Sequence, residues 1–398
     1  MTSTPARLAD PAGAVMVARE LAPRLAARAA RYDETGRFPE EDFADLRAAG
    51  LLGLMAPARL GGSGAGFADY AAVAIELAGG AGATALVFNM HASVTGAMAQ
   101  TPDDMVRALG VPDSYFEVRD RLLSEAVGGA LFAVAMSERG AGSRLSKVST
   151  EYWPVDDGFR IRGSKTFVSG AGHADAYLVA ARARESAEPV ISYFVVPADA
   201  GLRVEPSWDS LGMRATASHD LHLDATVSRD ALLGGIEGVA LLIAQVMPQW
   251  LVASYAAVYV GVAKAALAAA AEHVTQRRLD GLPMVRARLG RADAAVAAAE
   301  LTVLQAARRV DEAPGTPETN RWVWRAKLLA GDTAATVASS LLEAAGTGAS
   351  RRGHPLERIF RDARCGALQP ATSDVCADWL GLATLGADPD TQAGIARW

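Results

Sequence analysis

The chain has 398 residues, 51% of them hydrophobic, and a formal charge of −6 from 39 basic and 45 acidic side chains. That length and apolar content build a large core and exclude global disorder, and the acidic balance, with no basic cluster, excludes a nucleic-acid binder. Two cysteines, Cys365 and Cys376, cannot frame a disulfide scaffold and fit reduced thiols of a cytoplasmic protein.

The opening residues lack the uninterrupted apolar core of a signal peptide, and Asp10, Glu20 and Asp33 argue against a transit peptide. Ala14 to Arg31 reads as an amphipathic helix, with Val17, Leu21, Leu25 and Ala29 at helical spacing and Pro23 as a point for a kink. Pro39, Glu40 and Glu41 mark a helix start, and that helix runs to Ala49 and stops at Gly50. A glycine-rich loop from Gly61 to Gly66 precedes helices from about Phe67 to Leu77 and from about Ala83 to Met98.

From about residue 129 the pattern changes to short apolar and β-branched runs. Ala130 to Met136, Phe159 to Ile161, Thr166 to Val168, Tyr177 to Ala181, Ile191 to Val196 and His219 to Leu223 predict a small barrel or sandwich. From about residue 235 alanine-rich helices return, at Ala256 to Ala271, Ala292 to Ala307 and Arg321 to Ala345, the last ending at Gly346. The longest apolar run, Tyr255 to Ala271, is mostly alanine and contains Lys264, so it reads as a packed helix and not a membrane span. The predicted fold is α+β: a helical domain over residues 1–128, a β-barrel or sandwich domain over 129–234, and a C-terminal four-helix bundle over 235–398.

Several common chemistries are excluded by spacing. No Gly-Lys-Ser/Thr follows a glycine cluster, and Leu145 stands where a dinucleotide fingerprint needs its third glycine. No βαβ series surrounds these loops. The six histidines show no ligand spacing, so no metal site is predicted. Ser218, His219 and Asp220 are neighbours on a predicted strand, and strand neighbours point apart, so they form no triad.

Met136-Ser137-Glu138-Arg139-Gly140-Ala141-Gly142-Ser143 resembles the signature of the acyl-CoA dehydrogenase superfamily. Gly163-Ser164-Lys165-Thr166-Phe167-Val168-Ser169-Gly170 looks like that family's second flavin strand, and Leu211-Gly212-Met213-Arg214 like its next landmark. Glu357 to Arg364, Tyr32 to Pro39 and Leu60-Gly61-Gly62 complete the series in family order. The resemblance implies FAD, or FMN or an exchangeable reduced flavin. It places Ala135, Met136 and Ser137 at the polar edge of the flavin ring, Ser169 near its reactive nitrogen and Phe167 against its face. Gly140, Gly142 and Ser143 would line the close backbone approach, with Thr372 and Ser373 as further contacts. Arg277 and Gly346 would meet the flavin of a neighbouring subunit in a homotetramer or homodimer. An electron-transfer flavoprotein or a flavin reductase is the implied redox partner.

The sequence departs from the family at its catalytic base. The usual Glu of the C-terminal loop falls at Pro370, and its second known location falls near Leu251. The CoA-binding Arg becomes Val252 and its Asp partner Gln249. The first expectation is α,β-dehydrogenation of an acyl thioester bound to CoA or a carrier protein, with Asp374 as a displaced base; otherwise Asp374 is a helix N-terminal acid. The alternative is a two-component flavin monooxygenase of the same fold, using His91 and Ser169. A non-catalytic flavin-binding partner is the third reading.

Overall fold

The computed structural model describes Leu8 and residues 10–387; the first residues, on which the sequence expectation about a signal peptide partly rests, lie outside them. Helix α1 (Pro11–Thr35) starts where the Asp10 carboxylate accepts the Gly13 N–H at 2.7 Å, and ends at Gly36 in the left-handed conformation. Its buried stripe is Ala14, Ala18, Leu21, Leu25, Ala29 and Tyr32. Val17, expected in the stripe, is only half-buried; the small Ala14 and Ala18 take the inner face. Helices α2 (Glu40–Ala48), α3 (Phe67–Gly80), α4 (Gly82–Gln100), α5 (Asp103–Ala108) and α6 (Ser114–Val127) complete the first helical layer. The fourth is buried nearly all round from Gly82 to Met98 and forms the spine of this layer.

Seven strands follow: β1 (Phe132–Ala135), β2 (Glu151–Val155), β3 (Gly158–Val168), β4 (Ala176–Ala183), β5 (Ile191–Pro197), β6 (Leu202–Glu205) and β7 (His219–Ser228). They form one curled mixed sheet. Strand β4 pairs with β5 along one edge and with β1 and then β2, both parallel, along the other. The sheet continues through β3 and β7 to β6. Strand β3 is a single strand where the sequence suggests two pieces, because Gly163 interrupts the apolar run. That glycine is required: a Cβ there would lie 2.4 Å from Thr150 Oγ1.

Helices α7 (Ala240–Val246), α8 (Ala253–Gln276), α9 (Pro283–Glu312) and α10 (Pro317–Ala345) lead to α11 (Pro355–Arg364) and α12 (Ser373–Thr384). The three long helices pack on one another, with the two short ones laid along α10. The segment Pro248–Gln276, which contains α8, is long and apolar enough to cross a bilayer, but 67% of its apolar window is buried in the protein core. The order α, β, α and the layers agree with the fold predicted from sequence.

Candidate functional site

The signature loop after β1 is held from below by a buried ion pair. Lys165 Nζ donates to Glu138 Oε1 at 2.7 Å and to the Met136 carbonyl at 3.2 Å. Glu138 also accepts the Ser149 N–H and hydroxyl, each at 2.6 Å, and the Thr150 N–H at 3.0 Å. Burial opposes its ionisation, but Lys165 and these donors outweigh burial and hold the carboxyl well below the usual range. The Thr166 N–H closes the loop onto Ser137 O at 2.9 Å. The N–H groups of Met136 and Ser137, and the Ser137 hydroxyl, have no partner among the described residues. The loop is thus clamped by its carbonyls and presents its donors.

Beyond it lies an open groove of about 640 Å³, lined by Gly140, Gly142, Thr166, Phe167, Trp208 and Ser218, among others. Phe167 is 63% exposed and holds a left-handed backbone at φ 57°, a strained setting for an aromatic residue. Its ring stands edge-on to Trp208 at 6.0 Å. A Cβ at Gly140 or Gly142 would meet nothing within 4 Å, so both open onto free space. Ser143 is half-buried beside them.

Below Phe167 runs a ladder of hydroxyls. Ser169 Oγ lies 2.8 Å from Ser218 Oγ, which lies 2.6 Å from Thr216 Oγ1, which reaches Met213 O at 2.9 Å. Trp208 Nε1–H also donates to Met213 O, at 3.0 Å. Because Thr216 donates its one proton to Met213 O, Ser218 donates to Thr216 and Ser169 to Ser218, which leaves the lone pairs of Ser169 as acceptors. Asp220, next to Ser218 in sequence, accepts from Arg139 at 2.6 Å and from the Thr166 hydroxyl at 2.7 Å. The three residues Ser218, His219 and Asp220 therefore serve separate networks.

A second, apolar cavity of about 90 Å³ adjoins the signature loop through Met136. Ser93, Ala97 and Met98 of α4, Val134 of β1, Leu178 of β4, Tyr193 of β5 and Trp250 and Leu251 before α8 form most of its wall. Strand register explains the floor: Val134 pairs Leu178, and Tyr193 pairs Ala180, two residues on along the same face. Tyr115 and Tyr193 are the sole titratable groups in its lining, and burial raises the pKa of both phenols, that of Tyr115 to about 12.

Three sequence expectations need correction. His91 is not in either cavity. Its ring is 1% exposed, with Nε2 at 2.7 Å from Leu52 O and Nδ1 accepting the Phe132 N–H at 3.1 Å. Both nitrogens are committed to backbone, so it couples helix to sheet and offers nothing to a substrate. Asp374 lies exposed in the first turn of α12, the helix N-terminal acid of the second reading, and lines neither cavity. Thr372 caps that helix by accepting the Val375 N–H, and the Ser373 hydroxyl donates to Asp332 at 2.6 Å, so Thr372 serves the helix end and the Ser373 proton is already used. Only Val375 from this turn reaches the groove. Arg277 and Gly346 lie exposed at the ends of α8 and α10, and their expected role lies across a subunit contact.

Sequence reasoning missed Glu138 as the clamp's centre, Trp208, Thr216, Ser218 and the cavity tyrosines. Lys165, a charge placed on the inward side of an apolar strand, was the available signal.

Acyl-CoA dehydrogenase domain profiles match residues 14–106 (N-terminal), 133–226 (middle) and 253–373 (C-terminal). The chain belongs to the acyl-CoA dehydrogenase superfamily. It is 30% identical to L-evernosamine nitrososynthase of a Micromonospora species, over 92% of this chain and 89% of that one. It is 29% identical to benzylmalonyl-CoA dehydrogenase of Aromatoleum aromaticum, over 88% and 91%. In structure it resembles FMN-bound TdsC of Paenibacillus sp. A11-2 with a TM-score of 0.82 and 27% identity, covering 94% of this chain and 97% of that one. TdsC is described as a dibenzothiophene monooxygenase.

The cofactor of this superfamily member is a flavin, and the groove fits it. Open glycines, an exposed aromatic shelf, and free N–H groups at Met136 and Ser137 beside the groove match a flat ring with a polar edge. When bound, the flavin supplies two-electron redox chemistry and reactivity with oxygen. The residues around the groove would hold and orient it, and the apolar cavity would exclude water beside it.

Proposed function

We propose that this chain is a flavin-dependent monooxygenase with the acyl-CoA dehydrogenase fold, acting on a small uncharged substrate held in the apolar cavity. The order of the two leading sequence expectations is thereby reversed. The observation that carries the reading is the cavity wall: it holds no carboxylate, imidazole or amine among the described residues. Dehydrogenation of a thioester needs a base that is ionised near neutral pH, and loss of such a base costs about 10²–10⁴-fold. Leu251 fills one family location of the base, and a phenol raised to about 12, as in Tyr115, does not substitute.

In this reading one oxygen atom enters the substrate and the other leaves as water, with both electrons drawn from reduced flavin. The monooxygenase and nitrososynthase among its relatives support it. Dehydrogenation is the second reading, supported by the benzylmalonyl-CoA dehydrogenase relative. FMN or FAD, a partner reductase, and a homotetramer or homodimer in which Arg277 and Gly346 face a neighbour's flavin belong to the same proposal.

The test mixes flavin-loaded, chemically reduced protein with oxygenated buffer and follows absorbance. The expected result is a lasting transient, distinct from reduced and oxidised flavin. A one-step return to oxidised flavin, together with bleaching of the oxidised protein by butyryl-CoA, overturns the reading in favour of dehydrogenation.

A further inference from the structure

Tyr193 is 5% exposed, sits mid-strand in β5 opposite Ala180, and forms part of the apolar cavity wall. Its hydroxyl has no hydrogen-bond partner among the described residues and, unlike the Tyr259 hydroxyl, is not sealed within packed protein. Tyr259 also lacks a partner, but its hydroxyl is sealed in the core, and Tyr115 lacks one in the same cavity wall; three other buried tyrosines are partnered. Tyr70 donates to Asn89 at 2.6 Å, Tyr152 donates to Glu237 at 2.6 Å, and Tyr177 accepts the Gly172 N–H at 2.9 Å. A hydroxyl that opens onto an apolar cavity without a partner is poorly solvated, a cost that phenylalanine of the same shape avoids. The strand also fixes the backbone that carries the phenol, because β5 pairs with β4 along its whole length, from Ala176 to Arg182 of β4.

We propose that the Tyr193 hydroxyl is a substrate-binding group, and that the substrate is a small, uncharged, mainly apolar molecule carrying one hydrogen-bonding oxygen or nitrogen. The inference deepens the proposed function by naming its substrate class, and it rests on that reading for the cavity's identity as the substrate chamber. The size bounds the substrate: a cavity near 150 Å³ takes benzene, so about 90 Å³ encloses a short chain, and a single ring fits only by extending into the cavity's open mouth. The lining agrees as well. With Val94, Val106, Leu109, Val111, Ile243 and Met247 around it, a charged group would lose its hydration without compensation. The Ser93 hydroxyl, the nearest alternative anchor on α4, is already donated to Trp250 O at 2.9 Å.

Phenol and benzene, which differ by one hydroxyl, are the probes. Each is titrated calorimetrically into the flavin-loaded protein and into Tyr193→Phe. The expected result is that the phenol-to-benzene affinity ratio falls about three- to tenfold in Tyr193→Phe, while benzene binding is unchanged or tighter. A ratio that does not move, or failure of the wild-type protein to bind either probe, overturns the inference. Visible absorbance of the same samples reports flavin uptake separately. Protein that binds flavin and shows the lasting oxygen transient, yet keeps the ratio in Tyr193→Phe, overturns this inference and leaves the monooxygenase reading standing. Protein that loses the ratio in Tyr193→Phe but lacks the transient supports the Tyr193 contact while the monooxygenase reading fails.

Discussion

The His91 ring carries its single proton on Nε2, because Leu52 O lies 2.7 Å from that nitrogen while Nδ1 accepts the Phe132 N–H. Burial, first, disfavours a second proton, and the Phe132 N–H facing Nδ1 leaves no acceptor for one; the pKa falls from 6.5 to about 4. The folded value lies below the unfolded one, so between them the unfolded chain binds more protons. The stabilisation is present above pH 6.5 and is lost as pH falls to about 4, on the order of 3 kcal/mol. Urea midpoints at pH 7 and pH 4.5 should show this loss, and His91→Gln should flatten it; equal loss in the variant would refute the assignment. Glu138 obeys the same sign in a lower window, from 4.5 to about 2. Glu138→Gln strands the Lys165 ammonium, and should cost about 3–5 kcal/mol of stability. The double variant Glu138→Gln/Lys165→Met should cost less than the sum of its parts, as a denaturant cycle would read.

Close approach decides the packing of the elements. Helix α8 meets α3 at Gly261, where a Cβ would lie 2.4 Å from Ile75 O and 2.6 Å from Ala78 Cβ. Gly261→Ala should therefore destabilise the protein by about 1–3 kcal/mol through overpacking. Gly79, on the exposed side of α3, meets nothing within 4 Å, so Gly79→Ala should be neutral or stabilising by up to about 1 kcal/mol. Thermal unfolding of the two variants separates packing from helix propensity; equal shifts would mean the contact is not limiting. The same contact explains the alanine richness of α1, α3 and α8, since small side chains let helix backbones come near.

Across the whole molecule, one buried arginine joins parts far apart in sequence. Arg361 of α11 donates to both Asp33 oxygens, at 2.9 and 2.6 Å, and to the Leu211 carbonyl at 3.1 Å. Its neighbour Asp362 accepts the Met213 N–H at 2.6 Å, and Gly212 sits flat against the Arg361 carbonyl. The loop carrying Met213 leads into Thr216 and Ser218, so α1 and α11 together fix the hydroxyl ladder under Phe167. Arg361→Met leaves Asp33 uncompensated and should cost about 3–5 kcal/mol. It should also weaken flavin binding by titration, although Arg361 lines neither the groove nor the cavity; unchanged flavin affinity would uncouple the clamp from the site.

The sequence by itself determined what is local. Helical spacing, alanine content, the turn glycines and the order α, β, α are all properties of neighbouring residues, and the signature from Met136 to Ser143 marked the superfamily. It also showed that Leu251 and Pro370 stand where a base is expected. Only the tertiary structure decided which polar groups are available. His91 and Asp374 have the right chemistry in sequence, yet one is consumed by Leu52 and Phe132 and the other faces solvent at a helix end. Tyr193 and Ser218 carry no signal in sequence, because a residue's hydrogen-bond partners come from distant segments. Whether a hydroxyl is left free is known only after every neighbour has been placed.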